Sequence, residues 1–191
     1  MRARTLAVTT ICLVVSALLL PAVSHAKNGG SSSTVLTQLD AKLQPCAGDP
    51  CDPTATPVEP GAEGKAERRT RTGSSARDEF KITVEIPEVN ALGIDSTNAA
   101  TEDIRATFNN GTIDYAECSL VFDEFDPLEM VFVYKVDHRV RNGVLTKSVG
   151  TCSGTLITPG SFPDVQNGHM VTVRLVNTPD IHFLVGTFAP K

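Results

Sequence analysis

Apolar and polar residues alternate strictly from Phe80 to Ile86, with Phe80, Ile82, Val84 and Ile86 set between Lys81, Thr83 and Glu85. A period of two sends the two sets to opposite faces of a pleated strand. The stretch therefore predicts a half-buried β-strand, ended by Pro87. Beyond it the pattern loosens, and Asp95–Asp103 has room for one or two helical turns at most. Asn110-Gly111 then supplies the positive φ angles of a tight hairpin turn. A two-residue loop there pairs Phe108 with Ile113, Ala106 with Tyr115 and Ile104 with Glu117, leaving one face apolar. Past Tyr115 the apolar parity switches to Ala116, Cys118, Leu120 and Phe122. One inserted residue flips the faces of a strand, so a β-bulge is expected near 116–118.

Asn142-Gly143 predicts a second hairpin, pairing Val140 with Leu145, Val136 with Val149 and Tyr134 with Thr151, and setting Cys152 opposite Val133. A third hairpin aligns Val171, Val173 and Leu175 with Ile181, Phe183 and Val185, which requires an odd loop such as Thr178-Pro179-Asp180. About seven strands at this spacing, without a long helical pattern, define an all-β domain over residues 79–191: an antiparallel β-sandwich or small barrel. An immunoglobulin-like core would want a Trp against its bridge, and the chain has none.

Residues 27–78 read differently. Gly29–Ser33 has linker composition, and Val35, Leu36, Leu39 and Leu43 share one face of a short helix over 34–43. Five prolines fall between Pro45 and Pro60, and Gly61–Ser75 is small and charged. Such a stretch lacks the apolar surface to offset its ordering entropy, so 27–78 is expected to be a disordered arm. Before it, Arg2 and Arg4, the apolar run Ile11–Leu20 and the small residues Ser24 and Ala26 form the layout of a cleavable signal peptide, residues 1–26. No later segment is apolar enough to span a bilayer. The chain is therefore expected in a secreted or periplasmic setting.

Export changes how the cysteines are read. With Cys12 inside the signal, Cys46, Cys51, Cys118 and Cys152 remain, an even count suited to disulfides in an oxidising compartment. Proximity favours Cys46–Cys51, which leaves Cys118–Cys152. Charge narrows the partners: residues 79–191 carry eight Lys/Arg against fifteen Asp/Glu, which argues against nucleic acid.

Candidate chemistry is sparse. Thr151–Ile157 (TCSGTLI) resembles the strand before the catalytic histidine of chymotrypsin-like proteases, but the next histidine is His169, in an Asn-Gly-His-Met setting. No Gly-Asp-Ser-Gly string follows, so two of the three roles of a triad are missing. His138, His169 and His182 have no metal-pair spacing and read as surface or rim residues. Asp123, Glu124, Asp126 and Glu129 place four carboxylates at a turn, a calcium candidate by ligand type alone. Arg68, Arg69 and Arg71 form a basic stretch in the arm, open to proteolysis or an acidic surface. Asn110-Gly111-Thr112 matches a glycosylation sequon. The pattern points to a non-enzymatic exported β-domain that needs no cofactor and binds a protein or surface partner. A carrier of a small apolar ligand in an internal cavity, and a hydrolase with an unfamiliar site, are the alternatives.

Overall fold

The computed structural model describes residues 34–72, 76–126, 128–139, 144–158, 162–177 and 179–191. The expected signal peptide at 1–26 and the Asn142-Gly143 turn lie outside them. Strands β1 (Thr34–Pro45), β2 (Glu63–Thr72), β3 (Arg77–Pro87), β4 (Ile104–Asn109), β5 (Asp114–Asp126), β6 (Glu129–Arg139), β7 (Val144–Val149), β8 (Thr151–Gly154), β9 (Met170–Leu175), β10 (Ile181–Thr187) and β11 (Ala189–Pro190) follow one another, with one 3-10 turn at Ala99–Thr101. All their pairings are antiparallel, in the order β6-β3-β2-β1-β10-β9-β4-β5. β5 also pairs with β6, from Val121↔Val133 to Asp126↔Glu129, which closes the circuit. The expected all-β fold is thus an eight-stranded barrel. Closure leaves those strands no free edge, and a barrel of this size is just filled by its own side chains.

The inward rows show how it is filled. Leu39, Ala41 and Leu43 of β1 face Arg68, Ala66 and Gly64 of β2, then Phe80, Ile82 and Val84 of β3, then Val136, Tyr134 and Phe132 of β6. Small residues on β1 and β2 make room for rings from the other wall. Phe80 is fully buried, stacks on Phe162 at 5.7 Å, and meets Phe108 and Tyr134 edge-on at 5.8 and 6.1 Å. Gly64 shows how tight the small side is: a Cβ there would lie 2.6 Å from the Thr83 carbonyl oxygen.

Several expectations are corrected. Segment 34–43 belongs to strand β1 rather than a helix, because its inward set is Leu39, Ala41 and Leu43, a period of two. The expected disordered arm over 27–78 contains two barrel staves, β1 and β2. β2 has no large apolar residue, yet it is held on both sides by full ladders and charged side chains face out along it. Arg68 is consequently no loop residue. It turns inward, donates from Nη1 to Asp164 Oδ1 at 2.7 Å and to the Val165 carbonyl at 2.9 Å, and its guanidinium sits 5.7 Å from the Phe162 ring centroid.

Hairpin registers shift for two reasons, longer loops and bulges: Asn109 faces Asp114 across residues 110–113, where the expected two-residue turn would pair Phe108 with Ile113. In β5 the bulge falls at Tyr115, one residue earlier than expected, so that Phe108 faces Ala116 and Ala106 faces Cys118. Tyr115 and Ala116 are both buried as a result. In β10, Ile181 faces Leu175 across an odd loop as expected. A bulge at Phe183 then buries Phe183 and Leu184 together. The β6–β7 ladder carries its own bulge, pairing Val136 with Ser148. Where β5 and β6 part, the chain turns back at Gly150 and β8 runs along β5, so Cys152 faces Cys118 rather than Val133. Gly150 has φ +78°, and a Cβ on it would lie 2.3 Å from the Ser119 carbonyl oxygen and 2.9 Å from Tyr134 Cδ2.

Candidate functional site

Outward-facing residues of β4, β5, β8, β9 and β10 line an open groove of about 810 Å³. Cross-strand register puts Thr172, Thr107, Glu117 and Ser153 in one row across its floor. A parallel row carries His182, Arg174 and Arg105, and another carries Met170, Asn109 and Asp114. Pro179 and Asp180, from the β9–β10 connection, stand beside His182 in the lining.

Two segments of this lining are cross-linked. One is the turn Asp49-Pro50-Cys51, joined to the end of β1 by the Cys46–Cys51 disulfide, with Cys46 fully buried. The other is β8 with Ser153, Gly154 and Thr155, joined to β5 by Cys118–Cys152 with Cα atoms 4.0 Å apart. Both disulfides are the pairs expected from spacing. Their shared relation to one groove had no trace in the sequence, because it depends on the ladder order that brings β8 beside β5 and the register that turns Glu117 outward.

Glu117 is the electrostatic centre. Arg105 donates from Nη1 to its Oε1 at 2.8 Å, and Arg174 donates to its Oε2. Arg105 also grips Asp103 at 2.9 and 2.6 Å, and Arg174 pairs with Asp180. Partial burial pushes the Glu117 carboxyl up, but the hydrogen bonds and charge of Arg174 and Arg105 outweigh it and hold the group below the ordinary Glu value. The five residues form a charge-alternating chain across β4, β5 and β9 that fixes the floor side chains in place.

The histidines do not converge. His182 reaches the groove floor, with its Nδ1 buried and without a hydrogen-bond partner among the described residues. His169 Nδ1 lies 3.0 Å from the Tyr115 hydroxyl, an almost fully buried group whose ionisation desolvation suppresses. His138 faces Asp78 across the β3–β6 ladder, and its neighbour Asp137 binds Arg77 instead. The calcium candidates Asp123, Glu124, Asp126 and Glu129 are exposed along the β5–β6 hairpin, with Phe125 and Leu128 exposed among them. Among the described residues, no group of three or more His, Cys, Asp or Glu side chains is placed to hold a metal ion. Clustering in the sequence does not become a ligand shell among the described residues. Asn110-Gly111-Thr112 sits in an exposed hairpin turn, where Asn110 Oδ1 accepts from the Thr112 and Ile113 amides.

No family model matches the chain, and neither a curated protein nor a solved structure matches it.

Proposed function

We propose that this chain is an exported, non-catalytic β-barrel that binds a protein or surface partner through the groove on β4, β5, β8, β9 and β10. The observation that carries the proposal is that both disulfides brace segments that line the same groove. Covalent bracing keeps loop and strand from moving, so less order has to be gained when a partner arrives. A short turn and a four-residue strand are the weakest parts of such a surface, and they are the parts that are cross-linked. Two disulfides fit an oxidising compartment. Among the described residues no helix is long and apolar enough to cross a membrane.

Two other readings have less behind them. A carrier needs interior space, and here Phe80, Phe108, Tyr134, Phe162 and Phe188 occupy the barrel core. A hydrolase needs a base paired with a nucleophile, whereas Glu117 and Asp180 are tied to arginines, His169 to Tyr115, and His182 Nδ1 is hydrogen-bonded to no described hydroxyl. Filling the groove tests the proposal. In retention from an envelope or culture extract, Thr172→Trp is expected to lose the species that the unaltered protein retains. Lys65→Trp, on the wall formed by β1 and β2, is expected to keep them. Equal retention by both variants would contradict the assignment.

A further inference from the structure

We infer that the groove takes an extended, Lys- or Arg-bearing polypeptide segment; this rests on the partner-binding reading above and names the chemistry of the partner. Four carboxylates line the groove, Asp49, Asp114, Glu117 and Asp180, against one guanidinium, Arg174. Arg174 is already spent on Glu117 and Asp180, and the adjoining Arg105 on Asp103 and Glu117. The carboxylates left over are Asp49, in the stapled turn, and Asp114, at the start of β5 opposite Asn109. Asp114 accepts one hydrogen bond from the Asn109 amide at 2.7 Å, and neither aspartate is ion-paired among the described residues. A cationic side chain fits at each.

The row beside Asp114 is neutral and polar. Thr172, Thr107 and Ser153 stand in one cross-strand row around the internally neutralised Glu117, and none of their hydroxyls is bonded to another described side chain. A hydroxyl both donates and accepts, so this row serves the alternating N–H and C=O groups of an extended main chain. The result is a polar floor with two carboxylates in its lining that are not ion-paired among the described residues. A glycan fits less well. The groove's one aromatic ring besides His182 is Tyr115, which is 2% exposed and offers no face to a sugar. The chain's net charge of −5 adds long-range attraction for a cation.

The test uses the oxidised protein, isotope-labelled, titrated by NMR with three probes. They are an eight-residue peptide alternating Arg and Thr, the same peptide with citrulline for Arg, and a tetramer of N-acetylglucosamine. The expected result is that the arginine peptide shifts the amides of Thr107, Thr172 and Ser153, and that binding weakens steeply between low and high salt. Asp49→Asn with Asp114→Asn is expected to weaken it roughly fivefold or more, at unchanged melting temperature. Equal binding of the citrulline peptide, or binding of the sugar alone at these amides, would overturn the cationic assignment while leaving the groove as a binding site. Shifts confined to the β5–β6 hairpin, or none with any probe, would overturn the assignment and count against the groove itself.

Discussion

At the scale of single residues, the barrel depends on positions where the chain must come unusually close to itself. Gly150 is the clearest. It holds a left-handed backbone at the point where β7 gives way to β8, packed against the Ser119 carbonyl and the Tyr134 ring. Any Cβ there meets backbone oxygen that has no freedom to move. Gly150→Ala is expected to cost at least about 2 kcal/mol, from backbone strain and displacement of β8, read as a lower urea midpoint. An unchanged midpoint would show that β8 is not seated as described. The bulges at Tyr115 and Phe183 belong to the same scale. Sequence alternation revealed that a phase change was needed near 116, because apolar parity visibly switches. It placed the bulge one residue late because Tyr115 and Ala116 are both apolar, so either can be the residue inserted.

Among elements, cross-strand neighbours decide local electrostatics. Glu63 faces Glu85 across β2 and β3, and Glu129 lies opposite Pro87 at the same end of the ladder. Burial, and then the charges of Glu129 and Glu63, raise the Glu85 carboxyl above its ordinary value. A carboxyl raised by folding destabilises the native state when ionised, and the penalty vanishes once pH falls below the unfolded-state value of about 4.5. Glu85→Gln is therefore expected to stabilise the protein at pH 7 by about 0.5 kcal/mol and to have no effect at pH 4. Thermal unfolding at the two pH values checks it; equal gains at both would mean packing, not charge, is responsible. The Cys118–Cys152 bridge closes a sequence separation of 34 residues, and removing it by paired Ser substitutions is expected to cost about 3.5 kcal/mol. Cys46–Cys51, separated by 5, is expected to cost about 2 kcal/mol. Denaturant titration orders the two. The reverse order would contradict their placement, one in the barrel wall and one in a turn.

On the scale of the whole molecule, the legible part of the fold was the part whose strands carry large apolar residues. β3, with Phe80, Ile82, Val84 and Ile86, announces itself by alternation alone. β2 does not, because its inward positions are Gly64, Ala66 and Arg68, and a hydrophobic pattern cannot register a strand whose contribution is to be small. β1 misleads, since Val35, Leu36, Leu39 and Leu43 happen to fall on one helical face as well. Without β1 and β2 the circuit stays open, which is why a sandwich and a barrel look alike from the sequence. The groove was still less legible. Its floor residues come from five separate strands, and neither Thr107 nor Thr172 belongs to any motif. The cysteines were the accessible signal: an even count, paired as two disulfides, marks which segments are braced. The structure adds that both braces border one surface. That surface carries the functional proposal, and photo-cross-linking tests it most directly. With a cross-linking amino acid in place of Thr107 on the groove floor, a discrete partner adduct is expected in an envelope or culture extract. The same amino acid in place of Lys65 is expected to yield none. An adduct at Lys65 with none at Thr107 would contradict the central claim that the disulfide-braced groove is the binding surface.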